Sequence, residues 1–312
     1  MAGSSARIQE EVSAALDKTA VTHSNLRCFL NNATPVVKAH KVPKGPYLPL
    51  SNGYYGNVAN EVRRFYLGDL WNVFYKWSTC GVGTSVCIAP CETIEQYFVP
   101  YLSAIELYTN NTNDPASQSM VYDRRFYEYN QHVVKGQVNS HGYQIPSHMS
   151  NIGGKSKGEL FFKYFEHDSP YERIPFIDKV HELYNNCPFI ASLTSAELSP
   201  SSWMSVFWYP TSHVPMKNRK DLNTCFLTYH SLSTSQDNHL GGGNASNSNH
   251  VALAPFGLAT YKLDTKVWAS PNSGDQKHIA SLYDVAQSWL KKNDIYHYDF
   301  NFFSSSCSST RT

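Results

Sequence analysis

The sequence predicts a single α+β domain, mainly an antiparallel sheet with helices packed on it. Three observations lead there. Residues 203–209, 225–230 and 256–263 are short, nearly unbroken apolar runs rich in aromatic and β-branched side chains, as strands covered on both faces require. They follow one another with only polar loops between, so neighbouring strands run antiparallel. Apolar stripes at helical spacing recur elsewhere, and 312 residues without an internal repeat suffice for one large core.

Along the chain, residues 1–22 carry only the weak stripe Ile8, Val12 and Leu16 and read as a flexible leader ahead of a domain spanning 23–303. After Thr34-Pro35, the prolines at 43, 46 and 49 and glycines at 45, 53 and 56 mark an extended arm. Leu67, Leu70, Trp71, Phe74 and Trp77 predict a helix with one aromatic face, Asp69 near its start and Gly81 at its end. Residues 98–108 predict a strand with Val99, Tyr101, Ser103, Ile105 and Leu107 on one side and a bulge or edge at Pro100. The stretch 109–156 is a polar insertion whose shortening should leave the fold intact. Ser156 and Glu159 form a capping box, predicting a helix through Leu160, Phe161, Tyr164 and Phe165. Phe176, Ile177, Val180, Leu183 and Tyr184 predict the next helix, ending before Pro188. A polar loop at 233–250 separates the last two strands. The clearest helix follows, with Ile279, Leu282, Tyr283, Ala286, Trp289 and Leu290 on one face and Lys291 and Lys292 at its negative end. The Ser-rich tail at 304–312 is expected to be disordered.

Composition removes several classes of function. Twenty-six basic residues oppose 25 acidic ones, and 36 serines and 24 asparagines supply much of the polar surface. A net charge of +1 offers no general field for phosphate backbones or anionic lipid, so neither nucleic acid nor membrane is an expected partner. No apolar start resembles a secretory signal, so the cytoplasm or nucleus is the expected setting. Seven cysteines, an odd number, then remain thiols.

With the elements placed, an ordered set of motifs stands out: Gly68-Asp69-Leu70-Trp71 with Trp77-Ser78, then Gln96 through Ser103, Leu160-Phe161 with Tyr164-Phe165-Glu166, and Leu198 through Trp203. Trp208-Tyr209-Pro210, Cys225 through Leu232, Phe256 through Lys262 and Trp289-Leu290 complete it. In these motifs the chain resembles the plant family of uncharacterised proteins known as domain of unknown function 789, over roughly residues 24–303. The resemblance implies no activity, cofactor or catalytic residue. The insertion after Leu107, Ser/Asp-rich in relatives, bears Asn, Tyr and His here.

Tested chemistry by chemistry, the residues favour binding over catalysis. Cys80, Cys87 and Cys91 lack the paired spacing and nearby histidines of a zinc site, so neither metal nor cofactor is expected. The Gly241-Gly242-Gly243 tract lacks the Lys-Ser/Thr of a phosphate loop. An enzyme, for example a hydrolase, would be built around His230 as base with Ser231 and Asp221, yet the Gly-x-Ser-x-Gly elbow is missing. What remains is a concentration of aromatics. Trp77, Tyr97, Tyr101, Trp203, Trp208 and Tyr229, with His230, are the candidate lining of a groove for a protein partner or small ligand. Arg124, Arg125, Phe126 and Tyr127 are the candidate recognition residues of the insertion.

Overall fold

Pairing of the apolar runs decides the architecture. The computed structural model describes residues 24–43, 61–89, 92–109, 158–170, 172–211, 223–233, 249–269 and 274–308. The elements are, in order, α1 (Asn25–Asn32), β1 (Val36–Lys38), β2 (His40–Pro43), β3 (Glu61–Arg64), α2 (Leu67–Cys80), β4 (Val82–Ala89), β5 (Glu92–Thr109), β6 (Glu159–Phe165) and α3 (Phe176–Asn186). A 3-10 turn (Pro188–Ala191) leads to β7 (Trp203–Thr211), β8 (Cys225–Ser231), β9 (His250–Ala252), β10 (Gly257–Tyr261), α4 (Thr265–Trp268), α5 (Asp275–Lys292) and α6 (Tyr298–Ser308). The main sheet has the order β10-β8-β7-β5-β4, every pairing antiparallel, and β6 also pairs with β5. The predicted α+β class and antiparallel sheet are what the chain adopts.

β5 is the spine. Its first half pairs with β4 and its second half with β6, both on one edge, while β7 runs along the other. The β5–β7 register passes from Leu102↔Val206 to Ala104↔Ser205, leaving Ser103 as the extra residue of a bulge. The bulge breaks the alternation expected for 98–108. Leu102, Ile105 and Leu107 face one core, Tyr101 and Ala104 the other, and Ser103 turns with Ala104.

Both faces of the sheet are covered, which explains why β7 and β8 are apolar on both sides. On the first face α1, α2, α3 and α4 bury Phe29, Phe74, Phe176 and Trp268 against Phe98, Val206, Trp208 and Phe226, with Phe29 stacked 4.0 Å from Phe226. On the second face α5 and α6 bury Ala286, Leu290, Phe300 and Phe303 against Ala104, Phe207, Leu227 and Ala259. α5 approaches β10 closely because residue 257 is glycine; a Cβ there would lie 2.8 Å from that of Ala286. Trp289 sits at the margin of this contact, against Phe256 at 5.3 Å.

Residues 159–165 correct the sequence reading: they form strand β6, not a helix. A short aromatic run fits either period, and pairing of Ala104–Thr109 with Glu159–Phe165 decides for the strand. At the other end, α6 continues to Ser308, through the start of the stretch expected as a tail, because Phe300 and Phe303 anchor it to the second core. The leader, Arg124 to Tyr127 within the insertion, Asp221 and the Gly241-Gly242-Gly243 tract lie outside the described residues. No described helix is long and apolar enough to cross a membrane.

Candidate functional site

β8 places His230 against the first core, fully buried. The Leu253 carbonyl 2.8 Å from Nδ1 can only accept, so Nδ1 carries the proton and Nε2 is an acceptor. Nε2 accepts a hydrogen bond from the Thr228 hydroxyl at 2.8 Å, and Thr228 in turn accepts from Trp208 Nε1 at 2.9 Å. Burial lowers the His230 pKa to about 4, although the Leu253 bond works against it. Both nitrogens are taken, and Ser231, the next residue in the strand, points to the opposite face. This geometry gives no support to His230 as a general base.

The candidate aromatic residues do not meet in one groove. Trp77 and Trp208, 5.6 Å apart, belong to the first face. Tyr101, Trp203 and Tyr229 belong to the second, and Tyr97 pairs between Gly83 and Thr211 near one sheet edge. Trp203, Trp208, Tyr229 and His230 are enclosed by the cores rather than open to a ligand.

The richest chemistry lies on the second face, where the Ser103 bulge meets the start of α6. The Ser103 hydroxyl donates to Asp299 Oδ2 and accepts from His297 Nε2 at 2.9 Å. Since that hydroxyl has one proton, given to the carboxylate, His297 must be the donor at Nε2, leaving Nδ1 to accept from the Tyr229 hydroxyl at 2.7 Å. Arg173, in the loop before α3, forks onto both Asp299 oxygens at 2.8 and 2.6 Å, donates from Nε to the Asp168 carbonyl at 2.9 Å and lies over the Phe207 ring. These five residues are between 0% and 9% exposed. Burial lowers the His297 pKa to about 4, with Asp299 opposing and Arg173 adding to the shift. Burial, reinforced by the Asp299 charge, pushes the Tyr229 phenol well above its usual range.

Two further carboxylates flank this cluster. Glu106 accepts from Trp203 Nε1 at 3.1 Å and the Tyr108 hydroxyl at 3.0 Å, and pairs with Lys163 at 3.1 Å. Glu166 accepts from the Tyr164 hydroxyl at 2.6 Å and from two backbone N–H groups, with Lys179 at 3.7 Å. The cluster therefore contains Ser, His and Asp, but not wired as a nucleophile triad. The carboxylate accepts the serine's hydrogen bond, and the histidine donates to serine instead of accepting from it.

The folded state keeps both buried histidines neutral, whereas the unfolded chain protonates each below about pH 6.5. Their stabilising contribution is thus fully present above that pH and is lost as pH falls toward about 4, by up to about 1.4 kcal/mol per pH unit for each. Urea unfolding between about pH 7 and about pH 5 should show this slope, and His230→Gln should flatten it. An unchanged slope would remove His230 from the account.

Sequence reasoning missed Ser103, Arg173, His297 and Asp299. Their one signal was an isolated polar residue in apolar surroundings, as Ser103 is between Leu102 and Ala104, where burial demands a partner. Among the described residues no group of three or more His, Cys, Asp or Glu side chains is gathered to hold a metal. Cys87 bonds to the Ala89 carbonyl, Cys80 is exposed and Cys91 lies outside the described residues.

The molecule is an α+β domain in which the described His, Asp and Arg of the second face bond to one another across its layers. Residues 24–303 match the family described as "Protein of unknown function (DUF789)", and the chain belongs to that family. No curated protein and no solved structure matched it.

Proposed function

We propose that the protein is a non-enzymatic binding or scaffold module that meets a protein partner inside the cell through an aromatic row on the outer side of α6. The row carries the reading. Tyr296, Tyr298 and Phe302 are 67%, 45% and 47% exposed, and Tyr298 and Phe302 share one helix face at i, i+4. Each end of the row has ring neighbours: Tyr296 lies 4.9 Å from Tyr298 and Tyr298 4.2 Å from His167, while Phe302 lies 5.0 Å from Tyr261. Aromatic side chains gathered on a surface are the usual anchors of protein interfaces. The Ser–His–Asp wiring and the buried His230 argue against hydrolysis, because neither offers a base that a substrate can reach. The intracellular setting is supported by Cys187 and Cys225, buried thiols that a reducing compartment preserves.

The test is affinity capture with the full chain and with the triple variant Tyr296→Ser, Tyr298→Ser, Phe302→Ser. Partners retained by the first should be lost by the second, each confirmed with purified protein, while the unfolding transition stays close to that of the parent. Equal capture by both would overturn the aromatic row. Turnover of ester, phosphate or glycoside substrates, abolished by His297→Ala or Ser103→Ala, would replace binding with catalysis.

A further inference from the structure

We propose that Ser103, Arg173, Tyr229, His297 and Asp299 form an acid-sensitive latch, through which protonation of His297 releases α6 from the sheet while the first core stays folded. The device does not depend on what α6 binds. Its basis is the way the last helix is fastened. Apolar anchorage of α6 rests on Phe300 and Phe303, and Tyr283 donates to Ser304 at 2.9 Å. Among the described residues the buried side-chain hydrogen bonds at its start run through the polar cluster: His297 to β5 and β8, Asp299 to β5 and to the loop before α3.

Both ring nitrogens of His297 are already bonded, so a second proton forces a partner to turn. The proton would enter at Nδ1, turning the acceptor of the Tyr229 bond into a donor aimed at the same hydroxyl. The groups facing the ring are Ser103 from β5, Tyr229 from β8, Asp299 from α6 and Arg173 from the loop before α3, with the rings of Phe165 and Trp203 closing the sides. Among the described residues the one carboxylate facing it is Asp299, already shared by Arg173 and Ser103. A protonated His297 would therefore put two cations on one carboxylate in a site closed to water, an arrangement relieved when the ring swings out.

His230 is protonated no more easily, yet its position makes the outcome different. It faces the first core from β8, bonded to Thr228 and to the Leu253 carbonyl, and none of these ties reaches α6. His297 sits in the connection to the last described helix, where opening breaks no strand pairing. Acid should therefore free α6 first and uncover Phe207, Leu227 and Tyr229 beneath it.

Hydrogen exchange of the full chain, read by mass spectrometry and corrected for the intrinsic pH dependence of exchange, tests this. Below about pH 6.5 the protection of α6 should fall by up to about tenfold per pH unit, and by clearly more than that of β7 or α2. In His297→Gln that extra loss should vanish, whereas in His230→Gln it should remain. Equal loss across α6, β7 and α2 in the parent protein would overturn the latch, as would an unchanged acid response of α6 in His297→Gln. If His297→Gln fails to fold, the parent's comparison of α6 with β7 decides by itself.

Discussion

Replacing Asp299 by Ala is expected to lower the unfolding free energy by about 3–5 kcal/mol. The carboxylate is the only member of the buried cluster carrying negative charge, and the Arg173 side chain it holds is 3% exposed. Without it, a buried cation keeps its desolvation cost and loses its hydrogen-bonded counter-charge, with Glu166 acting only from farther away, while the Ser103 hydroxyl loses its acceptor. The pair itself need not stabilise much, so Arg173→Met combined with Asp299→Leu should recover most of the loss. Denaturant unfolding of the two variants measures both statements. A loss under about 1 kcal/mol for Asp299→Ala would mean that water enters the cluster freely.

Trp208→Ala is expected to cost a further about 3–5 kcal/mol, for a different reason. The indole is fully buried between α1 and α2, with ring centroids 6.0 Å from Phe29, 6.2 Å from Phe74 and 5.6 Å from Trp77. Its loss leaves a cavity beneath two helices and removes the donor at the head of the Trp208–Thr228–His230 chain. Tyr75→Ala, at a position 52% exposed on α2, should change stability by less than about 0.5 kcal/mol and serves as the control. Comparable losses in the two variants would show that the first core does not close around Trp208.

What the sequence disclosed and what it hid follow from the range of the forces involved. The stripes of α2, α3 and α5 and the doubly covered strands β7, β8 and β10 are local patterns, written within a dozen residues. β6 was hidden because Leu160 to Phe165 fits both periods, and only its partner strand, some fifty residues earlier, decides between them. α6 was obscured by its serines, which lower helix propensity locally but are outweighed by two phenylalanines packed on a distant sheet. The bulge at Ser103 was hidden for the same reason, since a register shift exists only between two strands.

The candidate site was harder still. Ser103, Arg173 and Asp299 are joined across separations of 196 and 126 residues, and no spacing rule connects positions so far apart. His230 drew notice because it stands in a recognisable strand beside a serine; His297 did not, because Tyr-His-Tyr-Asp matches no catalytic pattern. Their chemistry was decided by what surrounds each ring, and that information belongs to the folded chain.

Thr109 and Glu159 are directly opposite one another on β5 and β6, so the polypeptide leaves the sheet and returns to it at one point on the rim. A break in the gene at that point would cut no described helix or strand. It would nonetheless leave neither product with a complete core, since α1 and α2 belong to the first half and α3 and α4 to the second, and β5 must find β6 and β7 across the divide. Two such fragments would fold only on meeting, each serving as the template for the other's half of the sheet.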